Sequence, residues 1–325
     1  MSNGRLPRWI FDADARVPGT QPADYLALLP VFFARPGRTV DEAVRKKGRV
    51  WGPTEIRPLL RTMLNADPSE ASATVTGHLL RETLAAGGQA CRPLIAKSGL
   101  SHAFVDPALR HLQYGGAEIR LGARVARIGV SGTDSKERVS SLAFEEMSGP
   151  VSIAPGDGVV LAAPPEVAQR LAPDLAAPDE YRAIVTVHFV VDVPIGFVPL
   201  TCLVGGTSDW LFADDGRLSV TITSAGRLLA TPHDELARTM WHEVAKAVRL
   251  PPAPVPPWQV IVEERATFAA IPSQEGRRAG VRTRWNNFTL AGDWTATGLP
   301  ATIEGAIRSS QKAADALMNP SMESR

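Results

Sequence analysis

The residues of this chain best placed to do chemistry lie together near its end, in Asn287 to Leu317, NFTLAGDWTATGLPATIEGAIRSSQKAADAL. Phe288 to Ala291 is a short apolar run stopped by Gly292, which predicts a buried strand ending in a turn. Thr297, Gly298, Leu299 and Pro300 then prepare a helix, with the proline expected at or near its first turn. A helix that starts directly after a buried strand presents unpaired N–H groups and the positive end of its dipole, which suits a phosphate or another electron-rich group. Asp293, in the turn, can accept hydrogen bonds from a sugar-like hydroxyl. An ordinary strand-to-helix connection produces the same pattern, so spacing alone names no ligand.

From Ile303 the apolar or small positions Ala306, Ile307, Ser310, Ala314 and Leu317 recur at helical spacing, while Glu304, Arg308 and Lys312 follow one another at i,i+4 on a polar face. Gly305, Ala306, Ser309, Ser310 and Ala313 are all small, so this helix can lie very close to another backbone or to a flat ligand.

Other chemistry-bearing residues are scattered. His188 sits on the polar side of an alternating run and is the histidine to weigh for acid–base work, but no carboxylate is fixed beside it in sequence, which favours a structural role. His233 and His242 are not at metal-ligand spacing, and Cys91 and Cys202 lie far apart without a C-x-x-C or His-rich companion, so no metal site or disulfide framework is expected. That cysteine usage points to a reducing cytoplasm. Arg277, Arg278, Arg282 and Arg284 form a basic cluster that reads either as a diphosphate or nicotinamide-phosphate site or as a solvated loop. Asn287-Phe288-Thr289 matches the glycosylation sequon, a chance match in a chain whose start lacks the pattern of a signal peptide.

The elements that must position these residues are legible in outline. At 325 residues and 44% hydrophobic content the chain can bury a sizeable core, with two intertwined domains expected. A net charge of +1 gives no case for nucleic acid or for strong attraction to anionic lipid, and no run approaches the roughly 20 apolar residues of a membrane span. Helices are predicted over Asp41 to Lys47, Thr54 to Leu64 (with Pro53 or Thr54 at its start), Thr74 to Ala86 and Ser101 to Leu112. Glu118 to Ile128 reads as a strand pair or bent strand, Ser131 to Glu146 as polar hairpin material, and Gly158 to Ala162 as a short buried strand before a helix over Glu166 to Leu171. Tyr181 to Asp192, Leu218 to Ser224 and Gln259 to Phe268 read as sheet strands, and Thr231 to Leu250 as an amphipathic helix capped by Thr231.

LAGDWTATGLPATIEGAIRSS closely resembles the C-terminal flavin-contacting motif of the amine oxidase and phytoene desaturase superfamily, and within it the chain is most similar to the hydroxysqualene dehydroxylase family. The resemblance runs from about Thr39 to the end, through TVDEAV, RPLLRTMLNADPSEASA, SGLSHAFVDPALRHL, GAEIRLGARV, VVLAAPPEVA, SDWLFAD and RATFAAIPSQEGRRAG. It implies FAD as cofactor, contacted by Gly292, Asp293, Trp294, Gly298, Leu299, Pro300, Thr302 and Ile303, with the backbone of Val125 in GARV at the adenine end. It implies hydroxysqualene, a long-chain isoprenoid, as substrate and its reduction to squalene in hopanoid biosynthesis as the reaction, in the cytoplasm or peripherally at the inner face of the membrane. It does not assign catalytic residues. A carotenoid or phytoene desaturase-type oxidoreductase on the same scaffold, and an inactive remnant or non-catalytic subunit, are the alternatives.

The implied fold is α/β, a partial Rossmann-like FAD-binding domain built from discontinuous segments with an interleaved α+β substrate domain. Residues 1–117 are expected to be a mainly helical substrate portion, 118–172 flavin-domain strands, 173–267 the substrate sheet and helix, and 268–325 the C-terminal flavin-binding strand and helix. The family's glycine-rich G-x-G-x-x-G turn, which holds the FAD pyrophosphate, has no counterpart in these residues. A separate N-terminal FAD-binding polypeptide, or a truncated chain, is the corresponding expectation.

Overall fold

The computed structural model describes residues 8–14, 16, 19–44, 56–87, 90–91, 94–133, 137–146 and 149–319. The expected helix starts at Pro53 and Thr54, the tail of Asp41 to Lys47 and Gly88 lie outside them. The backbone divides into two compact units, each built from discontinuous segments: 1–92, 176–279 and 293–308 in the larger, and 93–175, 280–292 and 309–325 in the smaller. The stretch 268–325 is therefore shared between the two.

The larger unit has two cores. The first is helical, from α1 (Pro22–Leu26), α2 (Val40–Val44), α3 (Ile56–Leu64) and α4 (Ala73–Glu82). Ile56, Leu60 and Leu64 recur at one face of α3 and are buried against Val75 and Leu80 of α4. Ser72 caps α4 by accepting the Val75 amide, and Gly77 lets the helix approach Val31, whose carbonyl oxygen an added Cβ would meet at 2.6 Å. Leu64 and Leu80 belong to this core.

The second core lies between an antiparallel five-stranded sheet and α7 (His233–Val248). The strands are β5 (Tyr181–Val190), β6 (Leu200–Cys202), β7 (Trp210–Asp214), β8 (Arg217–Ile222) and β9 (Trp258–Phe268), in the order β6-β7-β8-β5-β9. Val185, Val187 and Phe189 alternate onto the buried face of β5, as the period-2 pattern requires, and meet Leu236, Met240, Trp241 and Val244 of α7. Pro232, not Thr231, occupies the cap position of α7, with no side-chain cap hydrogen bond, while the Thr231 amide donates to the Leu228 carbonyl. His188 lies on the other face, 2.7 Å from Ser219 Oγ on β8, and its pKa is lowered by burial and by Arg217, the environment of a sheet residue.

The smaller unit carries α5 (Asp106–Tyr114), a meander of β1 (Val125–Ser131), β2 (Arg138–Phe144) and β3 (Val151–Ser152), and α6 (Pro165–Leu171). The strand expected from Glu118 begins only at Val125, and the hairpin material after Ser131 contains a true strand, β2. A parallel pair, β4 (Val159–Leu161) with β10 (Phe288–Leu290), completes this unit. Parallel pairing of strands so distant in sequence is the pattern of an α/β crossover sheet. Asn287 ties the pieces together: its Oδ1 accepts the Val139 amide and its Nδ2 donates to the carbonyls of Val139 and Asp157, so the sequon asparagine is a structural clasp.

Candidate functional site

The motif begins on β10, whose three residues are all buried, and leaves it through Ala291, whose amide donates to the Leu161 carbonyl of β4. Gly292 then donates its amide to Ser309 Oγ at 2.8 Å, which pins the strand end to α9 (Ile303–Met318) within the smaller unit. The side of α9 that is buried is the stripe Gly305, Ser309, Ala313 and Ala316, whereas Ile303 and Ile307, expected among the inward positions, are 47% and 41% exposed. The small residues win because the helix lies almost on the strand backbone: Thr289 Oγ1 donates to the Ala313 carbonyl at 3.3 Å.

Asp293 to Thr302 form the turn before α9, in the larger unit. Its organiser is Arg278, whose side chain is 1% exposed. The guanidinium donates from Nε to the carbonyls of Trp294 (3.3 Å) and Thr295 (2.9 Å), from Nη1 to the Leu299 carbonyl (2.8 Å), and from Nη2 to the Asp293 carbonyl (2.9 Å) and Thr297 Oγ1 (2.8 Å). Glu275, on α8 (Pro272–Glu275), neutralises it at 2.9 Å, and Phe268 lies under it with the ring centroid 4.9 Å from Cζ. One planar cation thus satisfies most of the carbonyls that the turn folds inward, which is what five fixed donors can do and a lysine cannot. Trp294, in the same turn, is buried.

The arginines read either as a phosphate-type site or as a solvated loop are bound individually. Arg277 pairs with Asp179 at 2.8 Å, Arg284 pairs with Asp174 at 2.9 Å and stacks on Trp285, and Arg278 is buried in the turn. Each is engaged within its own unit.

Thr302 caps α9: its Oγ1 accepts the Gly305 amide at 3.0 Å and donates to the Pro300 carbonyl at 3.2 Å. Pro300 therefore stands outside the helix, where its carbonyl serves the cap. The amides of Ile303 and Glu304 are first-turn donors that no carbonyl of the helix itself can reach. Gly298 adopts φ +80°, and a Cβ there would lie 2.5 Å from Nδ1 of His78, a residue of α4 whose ring nitrogen donates to the Gly298 carbonyl at 3.1 Å. An open cavity of about 230 Å³ beside it is lined by His78, Arg81, Glu82, Thr297, Leu299 and Arg308. Nothing in the sequence marked His78, because only the tertiary fold brings it to the turn.

Burial pushes the Asp293 carboxyl above its usual range, against the opposing pull of the Trp294 amide and Arg278, and burial likewise raises Glu275. A half-buried carboxylate held in this way is stabilised by a hydroxyl donor laid against it. The donor set fits a flavin: an acceptor for a polyol hydroxyl and helix N-terminal amides for an electron-rich ring edge. Val125 opens β1 in the smaller unit, partly buried and paired with Phe144, with a register shift directly after it that re-aims the strand. Of the expected contact residues, Val125 and Gly292 belong to the smaller unit, and Asp293, Trp294, Gly298, Leu299, Pro300, Thr302 and Ile303 are brought together in the larger.

Among the described residues no group of His, Cys, Asp and Glu could hold a metal ion, and no helix is long and apolar enough to cross a membrane. The model of the flavin containing amine oxidoreductase family matches residues 45–318. The hydroxysqualene dehydroxylase of Rhodopseudomonas palustris is 45% identical over 320 residues, 98% of this chain and 74% of that protein. The hydroxysqualene dehydroxylase of Sinorhizobium fredii is 44% identical over 97% of this chain and 74% of its own length. The solved cyclohexylamine oxidase of Brevibacterium oxydans shares the fold, with a TM-score of 0.56 over 98% of this chain and 76% of that one at 16% identity.

Proposed function

This chain belongs to the flavin-containing amine oxidoreductase family, in its hydroxysqualene dehydroxylase branch, and on that premise we propose that it reduces hydroxysqualene to squalene with FAD as the cofactor. The observation that carries the reading is identity of 45% sustained over 98% of the chain to a relative of that name.

Bound flavin supplies the hydride. Asp293 would hold a hydroxyl of the cofactor, and the amides of Ile303 and Glu304 would face an electron-rich part of it. Arg278 and Thr302 keep those donors in place before the cofactor arrives, so binding spends little on ordering the turn. Val125 contributes through its backbone at the adenine end. We take the smaller unit, with its parallel pair, as the nucleotide side and the sheet of the larger unit as the substrate side.

A glycine-rich polypeptide for the pyrophosphate, separate from these residues, is part of this proposal, as is peripheral contact with the inner face of a membrane, where a long isoprenoid is delivered. Product analysis tests the reaction. The chain, with FAD, a reductant and a co-expressed glycine-rich segment of the family, is expected to convert hydroxysqualene to squalene and to leave phytoene unchanged. Desaturation of phytoene without squalene formation would overturn the substrate assignment.

A further inference from the structure

We propose that His78 is the acid that protonates the departing hydroxyl of the substrate, an inference that rests on the dehydroxylase reading above. Removing a hydroxyl by hydride transfer needs two partners. The C–O bond breaks with its electron pair going to oxygen, a hydride from reduced flavin forms the C–H bond, and a proton must reach the oxygen so that water leaves. The carbon is reduced and the flavin oxidised by two electrons, and the proton must come from a side chain able to regain it near neutral pH.

Among the described residues of the larger unit, carboxyl and imidazole groups surround the turn that carries the cofactor residues, and Glu304, on α9, is committed to Arg308 at 2.6 Å. Glu275 is committed to Arg278 at 2.9 Å. Glu82 is committed to Arg308 at 3.0 Å, which with hydrogen bonding holds its carboxyl below the usual range. Asp293 is the acceptor for the cofactor. His78 remains, and its geometry suits the task. A carbonyl oxygen can only accept, so the 3.1 Å contact with the Gly298 carbonyl fixes the proton on Nδ1 and leaves Nε2 as the nitrogen that gains and gives the second proton. The ring is exposed on the cavity that Thr297 and Leu299 of the turn also line.

The charged groups facing His78 are of both signs. Glu82 on the same helix and Glu275 on α8 are the carboxylates, and Arg81 and, on α9, Arg308 line the same cavity. Arg308 is itself bridged by Glu82 and Glu304. After donating, the ring is neutral with Nδ1–H still on the Gly298 carbonyl, and it recovers its proton from solvent through the open cavity.

The test uses the flavin-loaded full chain with its glycine-rich segment, wild type and His78→Gln and His78→Ala, followed by anaerobic single-turnover oxidation of the reduced flavin by hydroxysqualene across pH 5–9. His78→Gln can still donate to the Gly298 carbonyl, so flavin content and squalene affinity, read by the flavin spectrum, are expected to stay within about twofold. The oxidation rate is expected to fall roughly 10²- to 10⁴-fold and to lose the pH-dependent limb that a general acid gives the wild-type rate. Added imidazole should restore part of the rate to His78→Ala. A His78→Gln rate within threefold of wild type, or a loss that follows flavin content alone, overturns the inference while leaving the reaction intact. A wild-type chain that forms no squalene overturns the reading beneath it and the inference with it.

Discussion

In the five-stranded sheet, Phe189 of β5 packs on Trp241 of α7 with ring centroids 5.1 Å apart, and Val185, Val187, Leu211 and Val220 bury apolar surface around them. In the turn from Asp293 to Thr302 the backbone instead hangs on one guanidinium that lies 15 to 21 residues upstream in sequence. The sheet spreads its stability over many small contacts, so loss of any one leaves the rest in register. The turn concentrates its order in Arg278, so its shape is set almost independently of the side chains it displays. That suits a surface whose amides and carboxylate must be in place before a cofactor binds.

The comparison breaks most sharply at Arg278. Arg278→Met leaves the inward carbonyls and the Glu275 carboxylate unpaired in a buried place, and is expected to cost about 3–5 kcal/mol in urea unfolding and to abolish flavin binding. Leu211→Ala in the sheet should cost about 3 kcal/mol in the same assay. Flavin affinity of the surviving folded protein should stay within about twofold. Equal loss of flavin affinity in both variants would contradict the division between the two regions.

Gly298→Ala is the next smaller effect, about 1–2 kcal/mol, because φ +80° disfavours a side chain and the new methyl meets His78. Gly37→Ala, at φ +86° with nothing within 4 Å, isolates the backbone strain, so the excess cost at 298 measures the contact with His78.

The smallest effect is on Asp293. Its folded pKa is raised by burial, so the folded state binds the proton more readily than the unfolded chain. Its contribution to stability is therefore present below the ordinary value of 3.8 and lost as pH rises through the folded value. Flavin-free Asp293→Asn is expected to be more stable than wild type at pH 7, with the gap closing as pH falls toward 3.8, and to bind flavin more weakly. A gap that does not change with pH would remove the burial argument.

What the sequence disclosed follows the same division. β5, α7 and β9 were legible because half-buried elements carry their period on their surface, and Val185, Val187 and Phe189 fall where alternation puts them. The start of α9 was legible only approximately: Pro300 looked like a first-turn residue, but Thr302 is the cap and Pro300 supplies a carbonyl to it. The inward face of α9 was misread at Ile303 and Ile307, because apolar character outranks size in a periodicity argument and close helix-on-strand packing selects size. Arg278 looked like one member of a basic loop, since a cation bonded to carbonyls leaves no partner side chain to find in the sequence. His78 was invisible for the same reason, its partner being the carbonyl of Gly298.

The central claim is that the Arg278-ordered turn holds flavin. The visible absorption spectrum of the purified chain, alone and co-expressed with a glycine-rich segment of the family, tests it most directly, with wild type beside Arg278→Met and the released cofactor identified after denaturation. The account predicts FAD in the wild type with the segment present and none in Arg278→Met. Flavin retained equally by both, or absent from the wild type with the segment present, would contradict it.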